Sequence, residues 1–157
     1  MNTVLEYLNI DGTLLPAQSL IAFATVLQGN RTVKHFLCSN NFVHSDHVSS
    51  TIYDDVVQHM FKMVDYNESL VHLSLSKMAI KDRSIMDLLS LALKANKTLV
   101  ELDLSSNKIM GDGGCAIAKA VRYHPRLMIL NLSHNQIQDD GAIAISEMLL
   151  LNNTLKK

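Results

Sequence analysis

The stretch LVELDLSSNKI, Leu99 to Ile109, recurs 28 residues later as LMILNLSHNQI, Leu127 to Ile137. No other feature constrains the fold of this chain so strongly. A repeat of this length means a stack of like units, each too small to bury its own apolar face. The pattern is L-x-x-L-x-L-x-x-N-x-I, and it extends through the chain. Leu70, Leu73, Leu75, Met78 and Ile80 repeat it with Met in the Asn slot. Val33, Phe36, Cys38, Asn41 and Val43 form an earlier copy, and Leu5, Leu8, Ile10, Thr13 and Leu15 the first. A truncated copy begins at Leu155. Units therefore start near 5, 33, 70, 99, 127 and 155, at spacings of 28, 37, 29, 28 and 28 residues.

Each unit has a strand-like half and a helix-like half. The alternating L-x-L suits a short strand with one buried face. Between strands, apolar residues recur at helical spacing: Ile117 with Val121, Ile145 with Leu149, and Phe23 with Leu27. Leu88, Leu89 and Leu93 supply this stripe in the third unit, and Ile52, Val56, Val57, Met60 and Val64 in the second. The spacing predicts that these residues face the core. Asn30, Asn67, Asn96 and Asn152 each stand three residues before the next unit's first apolar residue. Asn tolerates left-handed backbone, so the expectation is a helix ending there in that geometry. Pro125 also stops a helix. Asp112 and Asp140 fit helix starts, where a carboxylate is favoured. Asn107 and Asn135, just after their strands, can bond backbone groups of the turn and of the adjacent unit. The 37-residue second unit carries a surplus, placed as a loop at about 44–51.

These residues make the chain resemble the leucine-rich repeat superfamily, and in particular its ribonuclease-inhibitor-like subclass. That subclass has units of about 28 to 29 residues with a full helix on the convex side. The resemblance runs from about Asn2 to Leu155 and is weakest in the second unit. It implies an α/β solenoid, a horseshoe arc of about five units. Parallel strands line the concave face and helices the convex one, because helices are wider than strands and the stack bends around them. Members of the subclass are protein-interaction scaffolds. They include nuclease inhibitors, activators of GTP hydrolysis by small GTPases, innate sensors and ciliary or cytoskeletal components.

The concave face is the favoured reader, with the convex helices and a terminal edge standing as alternatives for the main contact. Between the buried leucines, three columns point into the arc. The first is Tyr7, His35, His72, Glu101 and Ile129, and the second Asn9, Leu37, Ser74, Asp103 and Asn131. These ten are the candidate partner-binding residues. Asp11, Ser39, Ser76, Ser105 and Ser133 form the third column. The face is small and polar, acidic at Glu101 and Asp103, with Leu37 and Ile129 expected as exposed apolar members. It suits a protein partner. A nucleic acid calls for arginine and lysine there, and the formal net charge is -1.

Other chemistry is thinly represented. His44, Asp46 and His47 could begin a zinc site, but no further ligand stands at a suitable spacing, and His59 falls on a separate helix. GDGG at Gly111 to Gly114 imitates a phosphate loop without the G-K-[ST] ending. No nucleophile elbow is present. Cys38 sits in a buried slot, and Cys115 lies near a helix start with no base beside it. His124 and His134 fall at loop positions and read as surface residues. The chain is thus expected to be non-enzymatic, with no metal or other cofactor.

The two cysteines form no disulfide framework, and the first residues lack a signal-peptide pattern. No run is long enough to span a bilayer. The expected location is intracellular, in the cytoplasm, with no nucleic-acid or membrane partner. The leading function is a scaffold or adaptor that binds a protein through the solenoid surface. The alternative is a structural subunit of a larger cytoskeletal or ciliary assembly, held through its edges. Neither end shows a polar capping segment, which leads to the expectation of a fragment, a short isoform or a subunit covered by something else.

Overall fold

The computed structural model describes residues 2–41 and 50–157. Five strands form one parallel sheet in sequential order: β1 (Tyr7–Asn9), β2 (His35–Leu37), β3 (His72–Ser74), β4 (Glu101–Asp103) and β5 (Ile129–Asn131). A helix or helical run follows each strand: α1 (Ala17–Gly29), α2 (Ser50–Tyr66), α3 (Asp82–Ser84) with α4 (Ser90–Ala95), α5 (Gly111–Val121) and α6 (Gln138–Leu149). A π-helical turn, Ile85–Leu89, joins α3 to α4. The sheet is open, and the whole is an alternating solenoid of about five units, as the repeat predicts. Past β5, Lys156 and Lys157 donate to the Met128 carbonyl, and Leu130 N–H donates to the Lys157 carbonyl. The last residues thus bond to the sheet edge beside β5 without forming a sixth strand.

The register explains why the leucines recur. Leu8, Phe36, Leu73, Leu102 and Leu130 are paired across consecutive strands. Phe36, Leu73 and Leu102 are fully buried, as are Cys38, Leu75 and Leu104 of the next inward row. The helices complete the core with Leu20, Ala24 and Leu27, then Val56, Met60, Phe61 and Val64, then Ile85, Leu89 and Leu93, then Ile117 and Val121. Burying one Leu or Phe side chain is worth about 1.5–3 kcal/mol, so this shared core, not any single unit, holds the stack together.

Three helical assignments need correction. Ile52 is exposed, because it lies at the start of α2 beside Leu14 and Ile21 of the first unit rather than under the sheet. Leu149 is 54% exposed, and Met148 takes its place in the core. The α6 helix starts at Gln138, so its inward face passes through residue 148. Ser50 and Thr51, expected in the loop, open α2. Residues 44–49, including His44, Asp46 and His47, and the repeat residue Val43 lie outside the described residues.

The asparagines end the helices by a different device from the one expected. Asn30 and Asn96 are extended, not left-handed. Asn30 Oδ1 accepts the N–H of Thr32 and Val33 at 2.9 and 2.7 Å. Asn67 repeats this with Ser69 and Leu70, and its Nδ2 donates back to the carbonyls of Leu27 and Asn30. Asn96 donates to Val64 and Asn67, and Asn152 to Val121 and Arg122. The side-chain amides of Asn67, Asn96 and Asn152 thus form a ladder, each stitching its own helix end to that of the preceding unit. Left-handed backbone occurs elsewhere, in the turns after the strands: Gly12, Asn40, Lys77, Ser106 and His134 all have positive φ, as do Leu14, Ala79 and Gln138.

His124 holds the asparagine position in the fourth unit, and it is not a surface residue. It is 3% exposed. Its Nδ1 accepts the N–H of Leu127 at 2.9 Å and of Arg126 at 3.3 Å. Accepting at Nδ1 requires that nitrogen to be unprotonated. Burial, with Lys97 nearby, holds the imidazole below its ordinary value of 6.5. The consequence is directional. As pH falls below 6.5, the unfolded chain takes up a proton that the folded chain resists, so stability declines. His124→Asn restores the ladder residue of the other units. Urea midpoints between pH 7.5 and 5 should fall less in this variant than in the parent. An equal fall in both proteins would show that His124 contributes nothing to the acid loss.

Candidate functional site

The candidate site is the outward face of the sheet. The register brings together the residues that the repeat aligned. Tyr7, His35, His72, Glu101 and Ile129 are successive partners, and so are Asn9, Leu37, Ser74, Asp103 and Asn131. From Tyr7 to Glu101 the first column is a chain of neighbouring side chains. The Tyr7 and His35 rings lie 5.8 Å apart, His35 and His72 meet edge-on at 5.8 Å, and His72 Nδ1 stands 3.6 Å from Glu101 Oε2. Tyr7, at the sheet edge, is 55% exposed.

The second and third columns are cross-linked. The Ser39 and Ser74 hydroxyls are 2.7 Å apart. The Ser74 hydroxyl also lies 3.3 Å from Asp103 Oδ2, which can accept its proton. Ser105 Oγ donates to Ser76 Oγ at 3.0 Å, and Ser39 N–H donates to the Asp11 carboxylate. Ser105 N–H donates to Asp103 Oδ1 at 2.9 Å. Each carboxylate oxygen can accept more than one such bond, so Asp11 and Asp103 keep acceptor capacity toward the hollow.

Three expectations about exposure shift. Leu37 and Ile129 are half-buried rather than exposed, because strands about 4.8 Å apart place neighbouring side chains against each flank. Ser74 is buried, closed in by Ser39 and Asp103. What remains open is a shallow depression of about 600 Å³ bordered by Asp11, Leu37, His72, Glu101 and Asp103, with Lys77 on its rim.

Other candidates resolve differently. Cys38 is buried, and burial with the nearby Asp11 charge pushes its thiol up to about 12, so it is a core residue and not a nucleophile. Cys115 is half-buried, with Sγ 3.5 Å from the Asp140 carbonyl. His59 bonds the carbonyl of Asp55 on its own helix. Among the described residues, no group of three or more His, Cys, Asp or Glu is placed to hold a metal ion. No helix of the described residues is long and apolar enough to cross a membrane. Asp112, Asp139 and Asp140 lie in first helical turns without a side-chain capping bond, so their charges act on the helix dipole alone.

Comparison with known proteins agrees with this architecture. Residues 95–118 and 124–146 match a family model described as leucine-rich repeat. Leucine-rich repeat-containing protein 34 of Mus musculus is 34% identical over 99 residues, which is 63% of this chain and 22% of that protein. The chain therefore matches about a fifth of the length of this curated relative. Among solved structures, leiomodin-1 actin-binding site 2 superposes with a TM-score of 0.72 at 21% identity, over 95% of this chain and 81% of the other. The tropomodulin C-terminal domain of Caenorhabditis elegans gives a TM-score of 0.74 at 15% identity, over 95% and 84%. At these identities the two structures speak to the fold alone. The family-model match falls on the units that carry the clearest repeat, and the two structures share the solenoid fold.

Proposed function

We propose that this chain is a non-catalytic protein-contact solenoid that works as a structural component of an actin-cytoskeletal assembly. The observation that carries the contact role is the open sheet face. Its side chains are aligned across five strands, linked to one another, and arranged around no metal-binding or nucleophilic group among the described residues. The cytoskeletal part rests on likeness of fold. Two domains that share this arc over 95% of the chain are titled an actin-binding site and a tropomodulin domain. One strand and one helix per unit also support placement in the ribonuclease-inhibitor-like subclass.

Sedimentation with actin filaments tests the proposal. The purified chain should pellet with filaments in a saturable way. The E101K/D103K variant should lose at least about tenfold in affinity, since charge reversal at a contact face places like charges together. A wild-type chain that stays in the supernatant at every filament concentration overturns the cytoskeletal assignment. Undiminished binding by the variant moves the contact from the sheet face to the helices or edges. A second reading, an adaptor for a different protein, is favoured by the same open face and is the one left if filaments are ignored.

A further inference from the structure

The charge pattern of the sheet face identifies the chemistry of what it holds. Across the three columns, fifteen positions carry three carboxylates, Asp11, Glu101 and Asp103, and no lysine or arginine. All three border the depression on this face. Its floor includes Leu37, an apolar surface suited to the stem of a long basic side chain. The internal bonds of the face leave Asp11 and Asp103 with acceptor capacity, while Glu101 faces His72 Nδ1 at 3.6 Å. Asp103 is held by Ser105 N–H and the Ser74 hydroxyl, and Asp11 by Ser39 N–H, none of which is a cation. Among the described residues bordering the depression, Lys77 is the one lysine or arginine and His72 faces Glu101, so three carboxylates outnumber the fixed positive charge there.

The register adds a spacing. Glu101 and Asp103 lie two residues apart on β4 with side chains on the same face, about 7 Å from each other. Asp11 follows β1, three strands away, about 14 to 16 Å at the usual strand separation. One cation can bridge Glu101 and Asp103, and a second can reach Asp11. An extended chain covers that distance in about four or five residues.

We infer that the sheet face docks an extended basic segment of a protein partner, running across the strands, with two arginine or lysine side chains four or five positions apart. One side chain sits between Glu101 and Asp103 and the other beside Asp11. This rests on the reading of the sheet face as a protein-contact surface and names the partner's chemistry.

The test uses synthetic peptides and no filament. One fifteen-residue peptide carries two arginines four positions apart in a Gly/Ser context, and a second carries the same arginines adjacent. Each is titrated into the isotopically labelled protein at low salt and followed by backbone amide shifts. The spaced peptide should move amides of β1 to β4 and bind roughly threefold to fivefold tighter than the adjacent one, the worth of one partly exposed ion pair. E101Q/D103N, and separately D11N, should each abolish that advantage while leaving the fold intact, since the amides keep an acceptor for the same N–H donors. Added salt should weaken binding. Shifts confined to the helices overturn the inference, as do equal affinities for the two peptides. So does undiminished binding by E101Q/D103N. Filament binding without peptide preference would overturn this inference alone; loss of filament binding with peptide preference retained would overturn the cytoskeletal assignment alone.

Discussion

Asn107→Ala lowers the free energy of unfolding by about 4 kcal/mol, far more than the loss of one small carboxamide group suggests. The side chain is 6% exposed. Its Nδ2 donates to the carbonyls of Leu75 and Leu104 at 2.9 and 2.8 Å. Its Oδ1 accepts from the N–H groups of Met78 and Ile80 at 2.9 and 3.1 Å. One amide therefore satisfies backbone groups of two units at once, in a turn where no strand or helix can do so. Removing it leaves several polar groups buried, each costing about 1–3 kcal/mol, less what entering water recovers. Asn107→Asp does not rescue. A carboxylate can still accept from Met78 and Ile80, but it confronts two carbonyl oxygens it cannot donate to. Urea unfolding should place both variants well below the parent, with amide exchange at Met78 and Ile80 accelerated in the alanine variant. A loss under about 1 kcal/mol would mean that water replaces the side chain freely.

The same amide shows why the architecture was readable. Asn107 and Asn135 occupy one slot because the turn that follows every strand has the same unsatisfied groups, and a requirement that recurs every 28 or 29 residues is visible as a repeat. The strands were legible for the same reason: L-x-L alternation has no competing explanation, and the two leading sheet-face columns emerged in register. The turn geometry was less visible. Left-handed backbone at Gly12 and Asn40 has residue types that signal it, but Lys77, Ser106 and His134 adopt it without any such signal. There the stack dictates the conformation and the residue complies. The helix ends misled in the opposite way. The residue type at Asn30 and Asn96 points to a backbone role, whereas the side chain acts instead: Asn30 on Thr32 and Val33, and Asn96 also on Val64 and Asn67, about 30 residues back, which no local pattern reveals. His124 was missed because its type suggested a surface, although its place three residues before Leu127 marks it as a ladder member. Burial on the sheet face was the least legible feature. Ser74 is enclosed by Ser39, from the neighbouring strand unit, and by Asp103, from the next one.

Phe36→Ala should cost about 3–5 kcal/mol, comparable to the loss at Asn107. Phe36 stands where the other strands carry leucine, in the unit that departs most from the repeat. The structure shows that the departure is filled, not tolerated. Phe36 is fully buried, paired with Leu8 and Leu73 on the flanking strands, and its ring lies 6.4 Å from that of Phe23 on α1. Cys38, two residues on, is smaller than the leucine it replaces and is also fully buried. A large residue beside a small one keeps the layer's volume near that of two leucines, which is what close packing demands. Two variants separate this account from a simple preference for leucine. Phe36→Leu alone restores the repeat but leaves a void, and should cost about 1 kcal/mol or more. Phe36→Leu with Cys38→Leu returns the volume and should recover part of that loss, so the two changes couple favourably in a double-mutant cycle. Additive or mutually worsening effects would mean that the two sites do not share space, and that the second unit reached its unusual pair without compensation.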